Sequence, residues 1–349
     1  MTLSVLYRTL LKTTAMSGSK TDFPAEAVVY KIKEIILAEA QRANEDGGDS
    51  KIDQLISDLT VHLLSSYTAD GLTLSELEHS LGRLWYACIQ GATHVPSAGH
   101  QQRSIVCCVL AARASGPLQY KPPPLEETSD KTAKEGDIVT FSDGRTFFPD
   151  LPLFSACLVK EFTGNFYQLS MIQQVNLATF VGRLIGVGVY DGPALCALSL
   201  FRAVLEDPRP LQTSSADAES EAPAPVGDLL VSLCGLIESS GVSFAVLSSR
   251  NLRATHAAES FSDFPHLAGP GELAMKPGST PPFPSGYSPE RWAFWAQRLR
   301  ELEKCGFEDV KGMAGACLEV MYRAESNTNL LGLLADRAPV LLPELDTSI

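Results

Sequence analysis

Apolar residues recur along this chain at steps of three and four, the interval at which an α-helix returns to the same face. Val28, Ile32, Ile35 and Ile36 form one such stripe just after Pro24, a residue suited to a first helical turn. Ile52, Leu55, Ile56, Leu59 and Leu63 form the next, with Ser50 and Asp53 at capping-box spacing. A third helix opens on Thr73 and Glu76, a full box, and runs through Leu77, Leu81, Leu84, Trp85 and Cys88. The run Ile105–Ala114 is apolar almost all round, which predicts a central helix. Further on, Met171, Ile172, Val175, Ala178, Val181, Leu184 and Ile185 predict one long apolar face. A shorter helix from Pro193 to Asp207 turns Leu195, Leu198, Phe201 and Leu205 inward, and another carries Leu229, Leu230, Leu233, Leu236 and Ile237. Two last helices follow, Ser288–Leu302 and Glu308–Ala324.

Between these stripes the texture changes. Residues 115–136, 207–226 and 251–287 are rich in Pro, Gly, Ser and charge, lack periodicity, and read as loop insertions. Two β-prone runs flank Asp143-Gly144, the one hairpin candidate in the chain, and two strands alone would have to lean on helices. The expected architecture is therefore all-α: one irregular domain of about nine helices over residues 23–325, with long proline-rich loops and at most one small β-hairpin. Residues 1–22 read as a leader and 326–349 as a C-terminal tail.

Composition narrows the function classes. With 349 residues, 45% hydrophobic and 20% charged, the chain can bury a sizeable core. A net charge of -13 and no dense Lys/Arg cluster disfavour nucleic acid and anionic membrane surfaces as partners. No apolar run approaches the ~18 residues of a membrane span. The eight cysteines include no C-x-x-C pair, and nearly all lie beside Val, Leu or Ala, as core thiols do. A soluble protein of the reducing cytoplasm is expected. Residues 1–21 carry Arg8, Lys12 and Lys20 with no acid before Asp22, a composition shared with mitochondrial presequences.

The chemical motifs are weak. In GVGVYDG, Gly186–Gly192, the glycines end a helix instead of following a strand, so they read as a stop signal and not a dinucleotide loop. GVSFA, Gly241–Ala245, follows a helix where a nucleophile elbow needs a strand. His62, His79, His94, His100, His256 and His266 lack metal-ligand spacing, and His62 falls near the apolar stripe of its helix, where a structural role is expected. Cys107-Cys108 lack cationic neighbours and are expected to pack in the core. The pairs Glu76/Glu78 and Glu126/Glu127 read as a cap region and a solvated linker. No cofactor and no metal site is predicted.

One segment stands apart. SPERWAFWAQRLREL, Ser288–Leu302, begins with an N-cap serine and a proline at the first helical position. Trp292, Trp295, Leu299 and Leu302 share a face flanked by Arg291 and Arg298, while Arg300 points elsewhere. Such a stripe predicts core anchors, though Arg beside Trp also permits cation–π stacking or an anion pocket.

Three blocks together resemble a fungal family of mostly helical proteins, domain of unknown function 3632. FPDLPLFSACLVKEF is similar to its central "LP" block. NLATFVGRLIGVGVYDGPALCALSLFRAVLED is similar to its helical block, with Phe180, Arg183 and Leu184 at the aromatic-small-Arg-Leu core. YSPERWAFWAQRLREL is similar to its R-W-x-x-W block through Arg291, Trp292 and Trp295. Small residues precede Phe180 where the family is usually polar, and the acidic insertion after Asp207 is long. The resemblance implies an all-helical fold and carries over no reaction.

Two functions follow as expectations. The first is a non-catalytic helical protein that acts through a protein partner. The second is a small-molecule binder or enzyme with a pocket between helices, lined by Arg183, Arg291, Trp292 and Trp295, the arginines lying in apolar blocks where burial demands a charged partner. Fusion of residues 1–21 to a fluorescent protein tests the compartment: the cytoplasmic reading expects diffuse signal, and mitochondrial signal would replace it.

Overall fold

Among the described residues the chain forms twelve α-helices. The structure, a computed structural model, describes residues 26–46, 51–70, 74–119, 136–141, 144–212, 223–252, 264–275 and 283–337. Contacts divide the chain into two units, Met1–Phe180 and Val181–Ile349. The 1–22 leader, the Ser50 and Thr73 caps, residues 120–135, 213–222, 253–263 and 276–282, and the last twelve residues lie outside the described residues.

The first unit holds α1 (Glu26–Asp46), α2 (Ile52–Asp70), α3 (Leu74–His94), α4 (His100–Ala114) and α5 (Phe154–Asn165), followed by a 3₁₀ turn (Phe166–Gln168). Helix α6 (Met171–Gly186) carries the division between the units. The hub is α3, against which α1, α2, α4 and α5 all pack. Leu77, Leu81, Leu84, Trp85, Cys88, Ile89 and Ala92 are buried along it. Gly91 lets α2 come close, since a Cβ there would stand 2.7 Å from Ile52 Cγ2.

The expected central helix, α4, is instead half-exposed. Its inward face is Gln101, Gln102, Ile105, Val106, Val109 and Ala112, while Cys107 is exposed and Cys108 half-buried. The physical reason is Gln102, whose amide donates to the Ala92 carbonyl at 3.0 Å and to the Asn176 carbonyl at 2.8 Å, and so turns its own face inward. Small residues such as Cys107 and Ala111 tolerate the water side.

A similar inversion opens α6. Met171 and Ile172 are exposed, whereas Gln174 and Asn176 are buried. Gln174 donates to the Phe166 and Leu169 carbonyls, closing the end of the preceding turn. Asn176 donates to the Thr93 carbonyl and accepts from Ser97 N–H, so it caps the α3 exit. Bonding to orphan carbonyls there outweighs burying two apolar side chains.

Three helices escape the periodicity: α5, α9 (Ser243–Ser249) and α10 (Pro265–Ala268). The latter two are under three turns, and α5 has no side-chain cap to announce it. It starts at Leu153, with φ 64°, after Phe148 at 73° and Leu151 at 46°. Bulky residues in this region cost roughly 1–2 kcal/mol each. Burial of Phe147, Phe148, Leu151 and Phe154 holds them there, and Trp85 Nε1 donates to the Pro152 carbonyl at 2.8 Å. Before this segment the expected hairpin is reduced to one antiparallel bridge, Thr140 with Thr146, beside Gly144 at φ +84°, and a second bridge joins Gln119 to Ile138.

The second unit holds α7 (Pro193–Phe201), which continues as a single π turn (Arg202–Glu206), then α8 (Val226–Ser240), α9, α10, a 3₁₀ turn (Glu272–Met275), α11 (Pro289–Glu303) and α12 (Glu308–Arg337). Helix α12 packs on α8, α9 and α11, and runs thirteen residues past Ala324, so residues 326–337 are helix where a tail was expected. Helix α6 ends as its glycines predict. Val189 N–H bonds the Leu184 carbonyl and Gly188 N–H the Ile185 carbonyl, a Schellman cap with Gly188 at φ +81°.

Gly182 marks the closest approach of α6 to α8, where an added Cβ would lie 2.4 Å from the Leu236 carbonyl oxygen. Gly182→Ala is expected to destabilise by about 1–3 kcal/mol in urea melts. Gly164→Ala in α5, where nothing lies within 4 Å of an added Cβ, is expected to stabilise by about 0.5–1 kcal/mol.

Candidate functional site

Helix α11 forms from the signals its sequence carries. Ser288 Oγ accepts from Arg291 N–H at 3.1 Å, and Pro289 occupies the first turn. From that fixed start, Trp292, Trp295, Leu299 and Leu302 fall on the buried face. Arg291 is on the core side as well, and its side chain is 0% exposed.

A buried guanidinium needs an opposite charge and a partner for each of its five N–H groups. Arg291 has both. Nε donates to Glu206 Oε1 at 2.6 Å and Nη2 to Glu206 Oε2 at 3.0 Å, a two-pronged ion pair. Nη1 donates to the Ala268 and Gly286 carbonyls, each at 2.8 Å, and Nη2 also to the Gly269 carbonyl at 3.0 Å.

Glu206 is equally occupied. Besides Arg291, Oε1 accepts from Trp295 Nε1 at 2.6 Å and Oε2 from Gly271 N–H at 2.7 Å. Four donors thus meet one carboxylate that has no exposed surface. Gly271 is required there, since a Cβ would stand 2.7 Å from Glu206 Cβ. The π turn aims this carboxylate: Asp207 N–H bonds the Arg202 carbonyl, five residues back, and Glu206 ends the turn.

Aromatic rings close the centre. Trp295 stacks on Phe201 at 4.2 Å between centroids and meets Tyr287 and Trp292 edge-on. Arg291 Cζ lies 5.5 Å from the Trp295 ring. Tyr287 is fully buried, its hydroxyl donating to the Ala194 carbonyl at 2.8 Å, and desolvation holds its phenol well above the usual range.

Of the four residues singled out from sequence, Arg291, Trp292 and Trp295 meet here, whereas Arg183 lies half-buried on α6 with an interaction of its own. Every N–H of Arg291 is engaged within the protein, so the geometry is that of a structural keystone. Arg298 and Arg300 point outward, to Glu301 and to the Tyr322 hydroxyl. No motif or spacing in the chain marks Glu206. Its signal was a carboxylate at the end of the apolar run LSLFRAVLE, a burial that demands a cation.

The first unit holds a second polar group, on the α3 face Tyr86–Gln90–His94. Gln90 donates to Glu161 Oε1 at 2.6 Å, and Asn165 donates to Glu161 Oε2 at 2.9 Å. His94 Nδ1 faces the Gln90 carbonyl at 2.9 Å. Opposite a carbonyl only an N–H bonds, so Nδ1 carries the proton and Nε2 is the basic nitrogen. Burial lowers the His94 pKa, keeping the ring neutral, and burial together with Glu161 raises that of Tyr86. Of the other histidines, His79 bonds the Ser75 carbonyl, His100 and His266 are exposed, and the His62 side chain and His256 lie outside what is described. Among the described residues no three His, Cys, Asp or Glu side chains gather at metal-binding distance.

One surface feature stands out beside the α5–α6 connection. Tyr167, Met171 and Ile172 are 47%, 52% and 73% exposed within six residues. No single described helix is long and apolar enough to cross a membrane; α8 and α9 qualify only together, and they are bent by 84° and largely buried.

The family described as "Protein of unknown function (DUF3632)" matches residues 85–299. A curated protein of Penicillium oxalicum, "Oxopyrrolidines biosynthesis cluster protein G", is 25% identical over 265 residues, covering 74% of this chain and 70% of that protein. No solved structure matches the chain.

The ion pair predicts an unusual mutant cycle. Glu206→Leu and Arg291→Met should each cost about 3–5 kcal/mol in denaturant melts. The double variant Glu206→Leu with Arg291→Met should recover little, because it orphans Trp295 Nε1, Gly271 N–H and the Ala268, Gly269 and Gly286 carbonyls. A double variant as stable as wild type would make the pair dispensable.

Proposed function

The chain belongs to the DUF3632 family of proteins of unknown function, whose match extends from Trp85 to Leu299, and we propose that it works by binding a protein partner. What supports this reading is the exposed trio Tyr167, Met171 and Ile172. Two of them occupy the first turn of α6, on which Gln174 and Asn176 are turned inward. Side chains this apolar gain from leaving water, at roughly 25 cal/mol per Å² buried, and a partner surface offers that gain. The relative's name places that protein in a biosynthesis cluster, a setting in which a helical accessory that brings cluster proteins together has a use.

The alternative is a ligand pocket formed with Arg183, Arg291, Trp292 and Trp295. It has less behind it, because a ligand anion at Arg291 would have to displace Glu206 or three backbone carbonyls. The proposal also keeps the protein in the cytoplasm, on its acidic charge and unpaired cysteines.

Tagged protein captured from native extract and sized by light scattering provides the test. Wild type is expected to run in a complex. Met171→Lys with Ile172→Lys is expected to weaken that complex at least tenfold, with stability changed by less than about 0.5 kcal/mol because both side chains are exposed. A wild-type monomer that retains no partner would overturn the reading.

A further inference from the structure

Two of the cysteines stand on facing helices in matched positions. Helix α8 presents Gly227, Leu230 and Cys234 toward α12, which presents Val310, Ala314, Cys317 and Met321 at alternating steps of four and three. Both helices run the same way along this seam. Near their starts, a Cβ on Gly227 would lie 3.3 Å from Val310 Cγ2. Seven residues on from each of these positions stand Cys234 and Cys317. Seven residues are two helical turns, so the two side chains return to the same seam at the same height.

The side-chain geometry agrees. Cys317 is fully buried, and its Sγ lies 3.8 Å from the carbonyl of Leu230, one turn before Cys234 on the same face of α8. The Cys234 and Cys317 side chains are close enough to influence each other's ionisation, while Cys234 is itself half-buried and so within reach of a small solute. We propose that Cys234 and Cys317 form a redox-active dithiol, which a peroxide oxidises to a disulfide joining α8 to α12.

The two sulfurs have different roles. The single S–H of Cys317 can point to the Leu230 carbonyl or to the Cys234 sulfur, and when Cys234 ionises the bond to sulfur stabilises the thiolate. That bond lowers the Cys234 pKa against the opposing effects of burial and Glu238, while the same bond and desolvation raise that of Cys317. Cys234 is the attacking thiol and Cys317 the resolving one. In the first step the Cys234 sulfur takes one oxygen of the peroxide, the O–O bond breaks, and hydrogen peroxide leaves its other oxygen as water. In the second, the Cys317 sulfur attacks the sulfenic sulfur, the S–O bond breaks, and hydroxide leaves with the Cys317 proton as a second water. Two thiols and one hydrogen peroxide thus give one disulfide and two waters. Both electrons come from the sulfurs.

Of the other six cysteines, Cys88, Cys157 and Cys196 are buried, with thiol pKa values raised by desolvation, Cys107 is exposed and followed by Cys108, whose pKa is also raised by burial, and Cys305 is half-buried with its Sγ toward the Phe307 carbonyl. A bridge between Cys234 and Cys317 would close a long loop, so the oxidised chain should be the more stable form.

Peptide mapping of the reduced full-length chain, treated with a few equivalents of hydrogen peroxide, tests the proposal. The expected product is a linked peptide pair carrying Cys234 and Cys317, two hydrogens lighter than the separate thiols and reversed by dithiothreitol. The melting temperature should rise by about 5 °C or more on oxidation and fall back on reduction. In Cys317→Ser, dimedone should label Cys234 as a trapped sulfenic acid. In Cys234→Ser, Cys317 should stay reduced. Wild-type mapping decides the matter even if a variant misfolds. Oxidation of Cys107 with Cys234 still reduced would overturn the proposal, as would Cys234 proceeding to the sulfinic acid without a link to Cys317.

Discussion

A carboxylate with no exposed surface is the constraint around which the second unit is arranged. Burying the Glu206 side chain requires positive charge and hydrogen-bond donors to replace the water it has lost. Four donors do so, from Arg291, Trp295 and Gly271. Each fixes a different piece of chain: the π turn after α7 supplies the acid, α11 the guanidinium and the indole, and the segment between α10 and the 3₁₀ turn the glycine N–H. The surplus donors of Arg291 then gather three carbonyls, of Ala268, Gly269 and Gly286. One guanidinium thereby ties the backbone at Ala268 and Gly269 to that at Gly286.

The first unit reaches the same end with neutral groups. Gln90, Gln102, Gln174 and Asn176 are buried amides, and three of them bond backbone carbonyls at helix ends. An amide has less to lose than a charge on leaving water, so a single removal should hurt less. The strain at Phe148, Leu151 and Leu153 belongs to the same design. Their unfavourable φ values are tolerated because four apolar side chains of that segment are buried and Trp85 holds the Pro152 carbonyl.

Nine of the helices were legible because burial on one face leaves a mark at every third and fourth residue. The three that were missed are too short to show a repeat, or, for α5, begin at a strained leucine instead of a capping side chain. The exposure of Met171 and the burial of Gln174 ran against the pattern for a different reason. Periodicity weighs only the apolar content of a position, whereas Gln174 is held inside by the carbonyls of the turn just before its helix and Asn176 by a carbonyl 83 residues away. In the same way, α4 looked central by composition, and Gln102 decided which side faced the core.

The candidate site divides along the same line. Its helix was written in the chain: Ser288, Pro289 and the Trp292–Trp295–Leu299–Leu302 stripe fix where α11 starts and which face is buried, because capping and periodicity are local. That Arg291 needed a buried partner was also evident, from the cost of desolvating a cation. The identity of that partner was not. Glu206 stands 85 residues away, and nothing in either local stretch encodes the other. Only folding brings the two charges to 2.6 Å, and with that meeting a side chain that sequence marked as a ligand-binding candidate becomes one that holds the protein's own backbone in place.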